Sequence, residues 1–385
     1  MQKLAFFGGA PVRLRPPIIK PRLGSNAKKE VIKAIQRGFL SNFEGTGIVQ
    51  EFENRFAEFN KAGYAVAVNS GTSALHTALT VIPIQPGDEV LVPAFTFVAN
   101  ASVVIQQGAK PVFVDIDPRT YCMSPTDLQK KITAKAKAVI PVHLYGHPAD
   151  MERIMKIARE NNLQVIEDCA QAHGAKIGSK NVGTFGLAGC YSFSKTKNIT
   201  TGEGGLIVTN KKIFADECRI VRQNGKKNWK VHERLGYNYR LTELQAAVGI
   251  SQLQYLKRNN RMRQKHARIY EKKLAKSLLE LPTVDSSVHH VYYKYPVLLP
   301  RNLANKRDRF VRAVLRENVL IESGYSNPLY AIDFIRKKTT RANCPITEDI
   351  CRRIMNLQTA PCLTKQDILD TCDAVLKVCD SIEMI

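Results

Sequence analysis

The segment Cys190-Tyr-Ser-Phe-Ser-Lys-Thr-Lys-Asn-Ile-Thr-Thr-Gly-Glu-Gly-Gly205 holds a short apolar run, a hydroxyl-rich stretch with Lys195 and Lys197, and a glycine turn. It reads as a buried strand that breaks into a loop. A strand end is stiff and the loop after it is accessible, so a lysine there can be aimed at a bound group. An ε-amine attacks an aldehyde once desolvation or a neighbouring cation strips its proton. Upstream, Glu167-Asp168 closes the apolar run that begins at Gln164. A carboxylate at the buried end of a strand is costly unless a cationic partner meets it. Nearer the start, Ser70-Gly71-Thr72-Ser73 joins a predicted strand to a predicted helix. Unpaired amides at a helix N-terminus favour an anion. Amine, carboxylate and anion cradle are the parts that pyridoxal phosphate requires, for its aldehyde, its ring nitrogen and its phosphate.

Each residue also has a plainer role open to it. Ser70 is a good helix cap, Asp168 can cap the segment that follows, and most lysines are surface lysines. The loop pattern does not choose between Lys195 and Lys197. Ser192 and Ser194 can donate to a phosphate. Gln171 can bond a ring hydroxyl, whereas His173 on the same loop fits a packing role better. Phe97, with Phe95 as its rival, can stack on a flat ring. Asn238 and Arg240 follow the basic loop Gly225-Lys-Lys-Asn-Trp-Lys230, a segment able to cross to another subunit.

The elements that must position these residues alternate. Strands are predicted at 64–68, 89–92, 111–115, 138–143, 164–168, 189–193 and 205–209, with helices at 73–81, 97–106 and 151–161 between them. Short apolar strands separated by helices make a mainly parallel sheet covered on both faces, which binds ligands at the carboxyl ends of its strands. Ahead of it, residues 1–25 are proline-rich and basic and read as an extended surface arm. A helix follows from Asn26, its expected cap, to Gln36, with Val31, Ile32 and Ile35 on its apolar face. Another runs from Val49 to Asn60 through Phe52, Phe56 and Phe59. After residue 240 one long helical pattern reaches Leu274. A strand at 291–299 and helices at 307–317, 347–355 and 365–379 then describe a smaller α+β domain.

With 385 residues, 44% hydrophobic and 24% charged, the chain suits a soluble protein with one large domain and one smaller. No apolar run approaches a membrane span and the N-terminus lacks a signal-peptide pattern, so the expected location is cytoplasmic. The nine cysteines are scattered without a Cys-x-x-Cys pair, which points to reduced thiols and to no metal site. The net charge of +23 has no aromatic interleaving and no nucleic-acid module. Attraction of a phosphorylated substrate is the better use for it.

The chain resembles the DegT/DnrJ/EryC1/StrS family of sugar aminotransferases over nearly its whole length. The resemblance is carried by Asn69 to Leu75, Val92 to Phe97, Val142 to Gly146, Glu167 to His173, Ser192 to Gly205 and Gly236 to Leu241, in that order. It implies an α/β fold of the aspartate-aminotransferase type (fold type I), with a seven-stranded mainly parallel sheet and a smaller C-terminal domain. It implies that Lys197, not Lys195, forms the Schiff base, that Asp168 pairs with the pyridine nitrogen and that Gln171 lies by the ring hydroxyl. Gly71, Thr72 and Ser192 would hold the phosphate, Phe97 would stack on the ring, and Asn238 would reach the phosphate from the partner of a homodimer. Ser194-Lys195, Tyr330 and Cys362 depart from the family's usual His-Pro, histidine and glycine. A dehydratase branch carries histidine at the lysine position, and Lys197 argues against it.

The expectation is a pyridoxal-phosphate-dependent aminotransferase that moves an amino group from glutamate or glutamine to a keto sugar, most simply a nucleotide-linked one. A cyclitol acceptor and a sugar dehydratase are the alternatives. The domains are expected at 1–255, binding the cofactor, and 256–385.

Overall fold

The apolar runs of the first two thirds of the chain assemble into one sheet. In the computed structural model, which describes residues 3–21, 23–24, 26–41, 46–339 and 342–385, its strands are β1 (Tyr64–Val68), β2 (Glu89–Pro93), β3 (Lys110–Val114), β4 (Ala136–Val139), β5 (Gln164–Asp168), β6 (Ala188–Ser192) and β7 (Gly205–Thr209). They lie in the order β1-β7-β6-β5-β4-β2-β3. Only β7 runs against its neighbours; the other pairings are parallel. This is the expected seven-stranded, mainly parallel α/β sheet.

Strand periodicity explains how both faces are covered. In β1, Val66 and Val68 join one apolar cluster with helices α3 (Gly71–Val81), α4 (Ala99–Gln106) and α7 (Lys212–Arg222). Ala65 and Ala67 join the opposite cluster, with α2 (Gly47–Asn60). Helices α5 (Pro125–Lys131) and α6 (Met151–Glu160) cover the β3–β4–β5 side. Neither α5 nor α7 was expected from the sequence; α5, with 7 residues, is too short to show an apolar period.

Helix α1 (Ala27–Gln36) forms, but differently from expectation. Asn26 makes no side-chain cap. Its side chain bonds Gln254 and Ser251 instead, tying α1 to the long helix α8 (Glu243–Leu274). The buried face is Ala27 and Ala34, because small residues let the two helices approach; Ile32 and Ile35 face outward. The arm is not wholly extended either. Leu4 is buried in the core of the small domain, and Ala5 and Val12 donate their amides to the Glu317 carboxylate. Residues 1, 2, 22 and 25 of that arm lie outside the described residues.

Helix α8 starts at a capping box between Thr242 and Gln245. Its first half, through Ala247, Ile250 and Leu256, packs on the large core, and its second half, through Tyr270 and Leu274, on the small one. The 255/256 boundary therefore falls inside a continuous helix. Beyond it, β8 (Tyr295–Leu298), β9 (Ile321–Glu322) and β10 (Ile354–Leu357) form an antiparallel sheet in the order β8-β10-β9. Helices α9 (Arg307–Arg316) and α12 (Lys365–Cys379) share its core, whereas α10 (Asp333–Arg336) and α11 (Pro345–Arg353) pack on the large domain through Ile335 and through Ile350 and Cys351. Strand β8 is shorter than the predicted 291–299 because Tyr292 sits at φ 46°, a left-handed conformation that interrupts a strand. Helix α11 stops at Arg353, and Ile354–Leu357 becomes the central strand of the small sheet. Two flanking strands supply its hydrogen bonds, which a local pattern cannot register.

Candidate active site

The pair Glu167-Asp168 splits its duties because neighbouring strand residues face opposite ways. Glu167 is fully buried. Its Oε1 accepts from the amides of Phe185 (2.7 Å) and Gly186 (2.8 Å), and its Oε2 from Gly183 (2.6 Å). His143 Nε2 lies 3.0 Å from Oε2. Since Ala149 donates its amide to His143 Nδ1, the ring proton sits on Nε2 and is donated to Glu167. Cys169 lies within ligand distance of both, but their lone pairs are already taken, so this is a structural network holding the 183–186 turn.

Asp168 faces the other way and is 6% exposed. Its Oδ1 accepts from the Ala170 amide and its Oδ2 from Asn100 Nδ2, both at 2.9 Å. Asn100 itself is buried at the start of α4, and the Phe97 carbonyl accepts its backbone amide at 3.2 Å. Phe97 is 54% exposed beside it, whereas Phe95 is buried edge-on against Tyr325.

The lysine loop leaves the end of β6 and is pinned at both sides. Phe193 donates its amide to Gly204, and its carbonyl accepts from the Thr201 amide and the Thr200 hydroxyl. Lys195 is exposed on this loop; Lys197 is half-buried, its Nζ 5.0 Å from the centre of the Tyr293 ring. His173 lies buried against the rings of Tyr191 and Phe193. Burial first, and the charge of Lys197 second, push its pKa down to about 3, so it is neutral. The packing role expected for it holds.

Gln171 is buried three residues beyond Asp168. Its Oε1 accepts from the Tyr145 amide at 2.8 Å, and its Nε2 donates to the Tyr325 hydroxyl at 3.1 Å. Burial first, and the nearby Asp168 carboxylate after it, raise the pKa of that hydroxyl. Lys197, Tyr293, Tyr325, Gln171 and Asp168 thus form one neighbourhood.

The candidate anion cradle lies at the end of β1. Ser70 caps α3, its Oγ accepting from the Ser73 amide at 3.0 Å. The amides of Gly71 and Thr72 in that first turn have no intrahelical acceptor. A side chain at Gly71 would put its Cβ 2.5 Å from Ser192 Cβ, so the two residues meet back to back. Thr72 is exposed at the same turn. Asn238 is exposed too, and sits beside this turn of its own chain. Its carbonyl lies 3.4 Å from Asn69 Nδ2, and the Tyr239 carbonyl accepts the Asn69 amide.

Sequence reasoning missed Asn100, Tyr293 and Tyr325. Asn100 did carry a signal, as an amide inside the otherwise apolar start of α4. Tyr325 lies on an irregular loop and carried none.

Residues 21–376 match the DegT/DnrJ/EryC1/StrS aminotransferase family. The chain belongs to that family. It is 38% identical over 363 residues to the GDP-perosamine synthase of Escherichia coli O157:H7, covering 93% of this chain and 97% of that protein. It is also 38% identical over 317 residues to the UDP-N-acetyl-3-dehydro-alpha-D-glucosamine 3-aminotransferase of Acidithiobacillus ferrooxidans, covering 82% and 84%. Among solved structures, DesI in the presence of its TDP-sugar product superposes with a TM-score of 0.90 at 26% identity, covering 98% of this chain and 96% of that one. No helix among the described residues is long and apolar enough to cross a membrane.

Members of this family are pyridoxal-phosphate-dependent aminotransferases, and the residues present fit that cofactor. A carboxylate is fixed by donors on both oxygens and keeps lone pairs for a ring N–H. The glycine at the helix start leaves a backbone cradle that a Cβ could enter only by displacing Ser192. Asn100 Oδ1 is buried beside the site without a hydrogen-bond partner among the described residues.

Proposed function

We propose that this aminotransferase moves an amino group from glutamate or glutamine to a nucleotide-linked keto sugar, with pyridoxal phosphate held by Lys197. The observation that carries this reading is the half-buried Lys197 in one neighbourhood with a buried, doubly hydrogen-bonded Asp168. The names of the Escherichia coli and Acidithiobacillus relatives and the TDP-sugar product of DesI support a nucleotide-linked acceptor.

Asp168 would hold the ring nitrogen in its protonated form. The Gly71 and Thr72 amides and the Ser192 hydroxyl would take the phosphate. Phe97 would cover one face of the ring, and Gln171 has a second Nε2 hydrogen free for the ring hydroxyl. The cofactor, when bound, supplies an electron sink for the bond broken at the donor's α-carbon. Lys197 Nζ takes that proton and returns it, first for the donor and then in reverse for the acceptor. Two successive half-reactions at one site, the keto-acid product leaving before the acceptor enters, would give ping-pong kinetics.

The reading includes a homodimer in which Asn238 reaches the partner's phosphate. Ile35 (57% exposed), Phe39 (75%) and Trp229 (64%) leave apolar surface of the kind that subunit contacts cover. It also keeps a cofactor domain to residue 255 and a smaller domain after it, joined by α8.

The test supplies glutamate or glutamine and GDP-, UDP- and dTDP-linked keto sugars to the cofactor-loaded chain and follows amino-sugar product by mass. Failure of every pair to yield product, with cofactor absorbance unmoved by either donor, would overturn the reading.

A further inference from the structure

A hollow opens beside the Lys197 loop. It is a cavity of about 380 Å³ between the arm at residues 19–21, the Lys195–Thr200 loop, α8 and the small sheet. Its lining brings Lys20, Lys195, Lys197, Arg263 and Lys294 together with one carboxylate, Glu322. That carboxylate is already engaged, accepting from Lys294 Nζ at 2.9 Å and from Gln358 Nε2 at 2.8 Å. The cavity therefore carries an excess of positive charge.

Arg263 is its most telling residue. It is 5% exposed, and no carboxylate among the described residues pairs with it. Its Nη1 donates to the Tyr293 carbonyl at 3.1 Å and to Thr359 Oγ1 at 3.0 Å, while its Nε is buried with no hydrogen-bond partner among the described residues. Burial without a counter-charge lowers its pKa to about 10. An unpaired guanidinium is unfavourable in a protein interior, and its planar fork matches a carboxylate. Lys197 lines the same cavity, so a ligand held there by an anionic end could present its amine where Nζ would hold the cofactor's aldehyde carbon.

We propose that Arg263 is the counter-charge for the side-chain carboxylate of a dicarboxylic amino donor, glutamate, seated in this cavity. The proposal rests on the aminotransfer reading and sharpens it. An acidic donor is selected over its amide because only the acid neutralises the buried cation.

The test compares Arg263→Gln and Arg263→Lys with the wild-type holoenzyme. Glutamate and glutamine are titrated separately in the donor half-reaction, and glutarate, a dicarboxylate without an amine, is titrated by calorimetry. In Arg263→Gln the half-saturating glutamate concentration should rise roughly tenfold or more, the size expected for losing a charge-assisted contact, with the limiting rate far less affected. Glutamine should change little. Glutarate binding should vanish in Arg263→Gln and return in part in Arg263→Lys. The lysine variant keeps a cation and a donor for the Tyr293 carbonyl, so it preserves the test if the glutamine variant does not fold. Equal losses for both donors, unchanged glutarate affinity, or a nucleoside diphosphate whose binding weakens in step with glutarate would each overturn the proposal. Glutarate binding is read without turnover. A chain that binds it through Arg263 yet aminates no keto sugar overturns the aminotransfer reading alone.

Discussion

Asn100 donates its side-chain amide to Oδ2 of Asp168 at 2.9 Å, and both side chains are buried. The contact fixes one carboxylate oxygen while the Ala170 amide fixes the other. A charged acceptor held this way is oriented before any ligand arrives.

Removing that donor should loosen the ring-nitrogen site without unfolding the chain. Asn100→Ala is expected to weaken pyridoxal phosphate binding by roughly one to two orders of magnitude, the range for a lost hydrogen bond to a charged group. Asn100→Asp should be worse, since it sets a second carboxylate against the first. Fluorescence titration of the apoprotein with the cofactor, beside a thermal melt, separates this from general destabilisation.

The two lysines of the loop should behave differently. Lys197→Ala is expected to abolish turnover and to prevent covalent retention of the cofactor after borohydride reduction. Lys195→Ala, at an exposed position, should keep both substantially intact. Intact-mass spectrometry reads the retention directly. Retention in Lys197→Ala would move the reactive amine elsewhere.

Gly71→Ala tests the phosphate cradle. The new Cβ would stand 2.5 Å from Ser192 Cβ, closer than side chains pack, so the helix start or the end of β6 must shift. Cofactor affinity is expected to fall at least about tenfold, the effect of losing charge-assisted phosphate contacts. Ser192→Gly in the same chain should relieve the clash and restore part of the loss.

His173 makes the fold acid-sensitive. Its folded pKa of about 3 lies below the usual histidine value of 6.5. Between these values the unfolded chain binds more protons, so stability falls as pH drops below 6.5 and keeps falling toward 3. At pH 5 the loss from this residue is about 2 kcal/mol. Urea unfolding at pH 7 and pH 5 should show a smaller difference for His173→Phe than for the wild type.

Several residues set the limit of local reading. The pair Glu167-Asp168 was visible as two carboxylates closing a strand, but not that Glu167 holds a turn while Asp168 faces the site. Phe97 was the candidate and Phe95 its rival; the structure buries Phe95 and exposes Phe97. The arm and α1 misled because Leu4 and Asn26 find their partners far along the chain, in the small domain and on α8.

By itself the sequence determined the alternation of strands and helices, the seven-stranded sheet, the lysine loop and the membership of the family. These follow from burial periods and short motifs, which are properties of neighbours in the chain. Only the tertiary structure decided that Asn100 supports Asp168, that Tyr293 and Tyr325 join the lysine to the carboxylate, that Ile354–Leu357 is a strand, and that Arg263 is buried with no carboxylate beside it among the described residues. Each of those depends on chain closure bringing distant segments together, and on which way a side chain then faces. Local pattern carries no record of either.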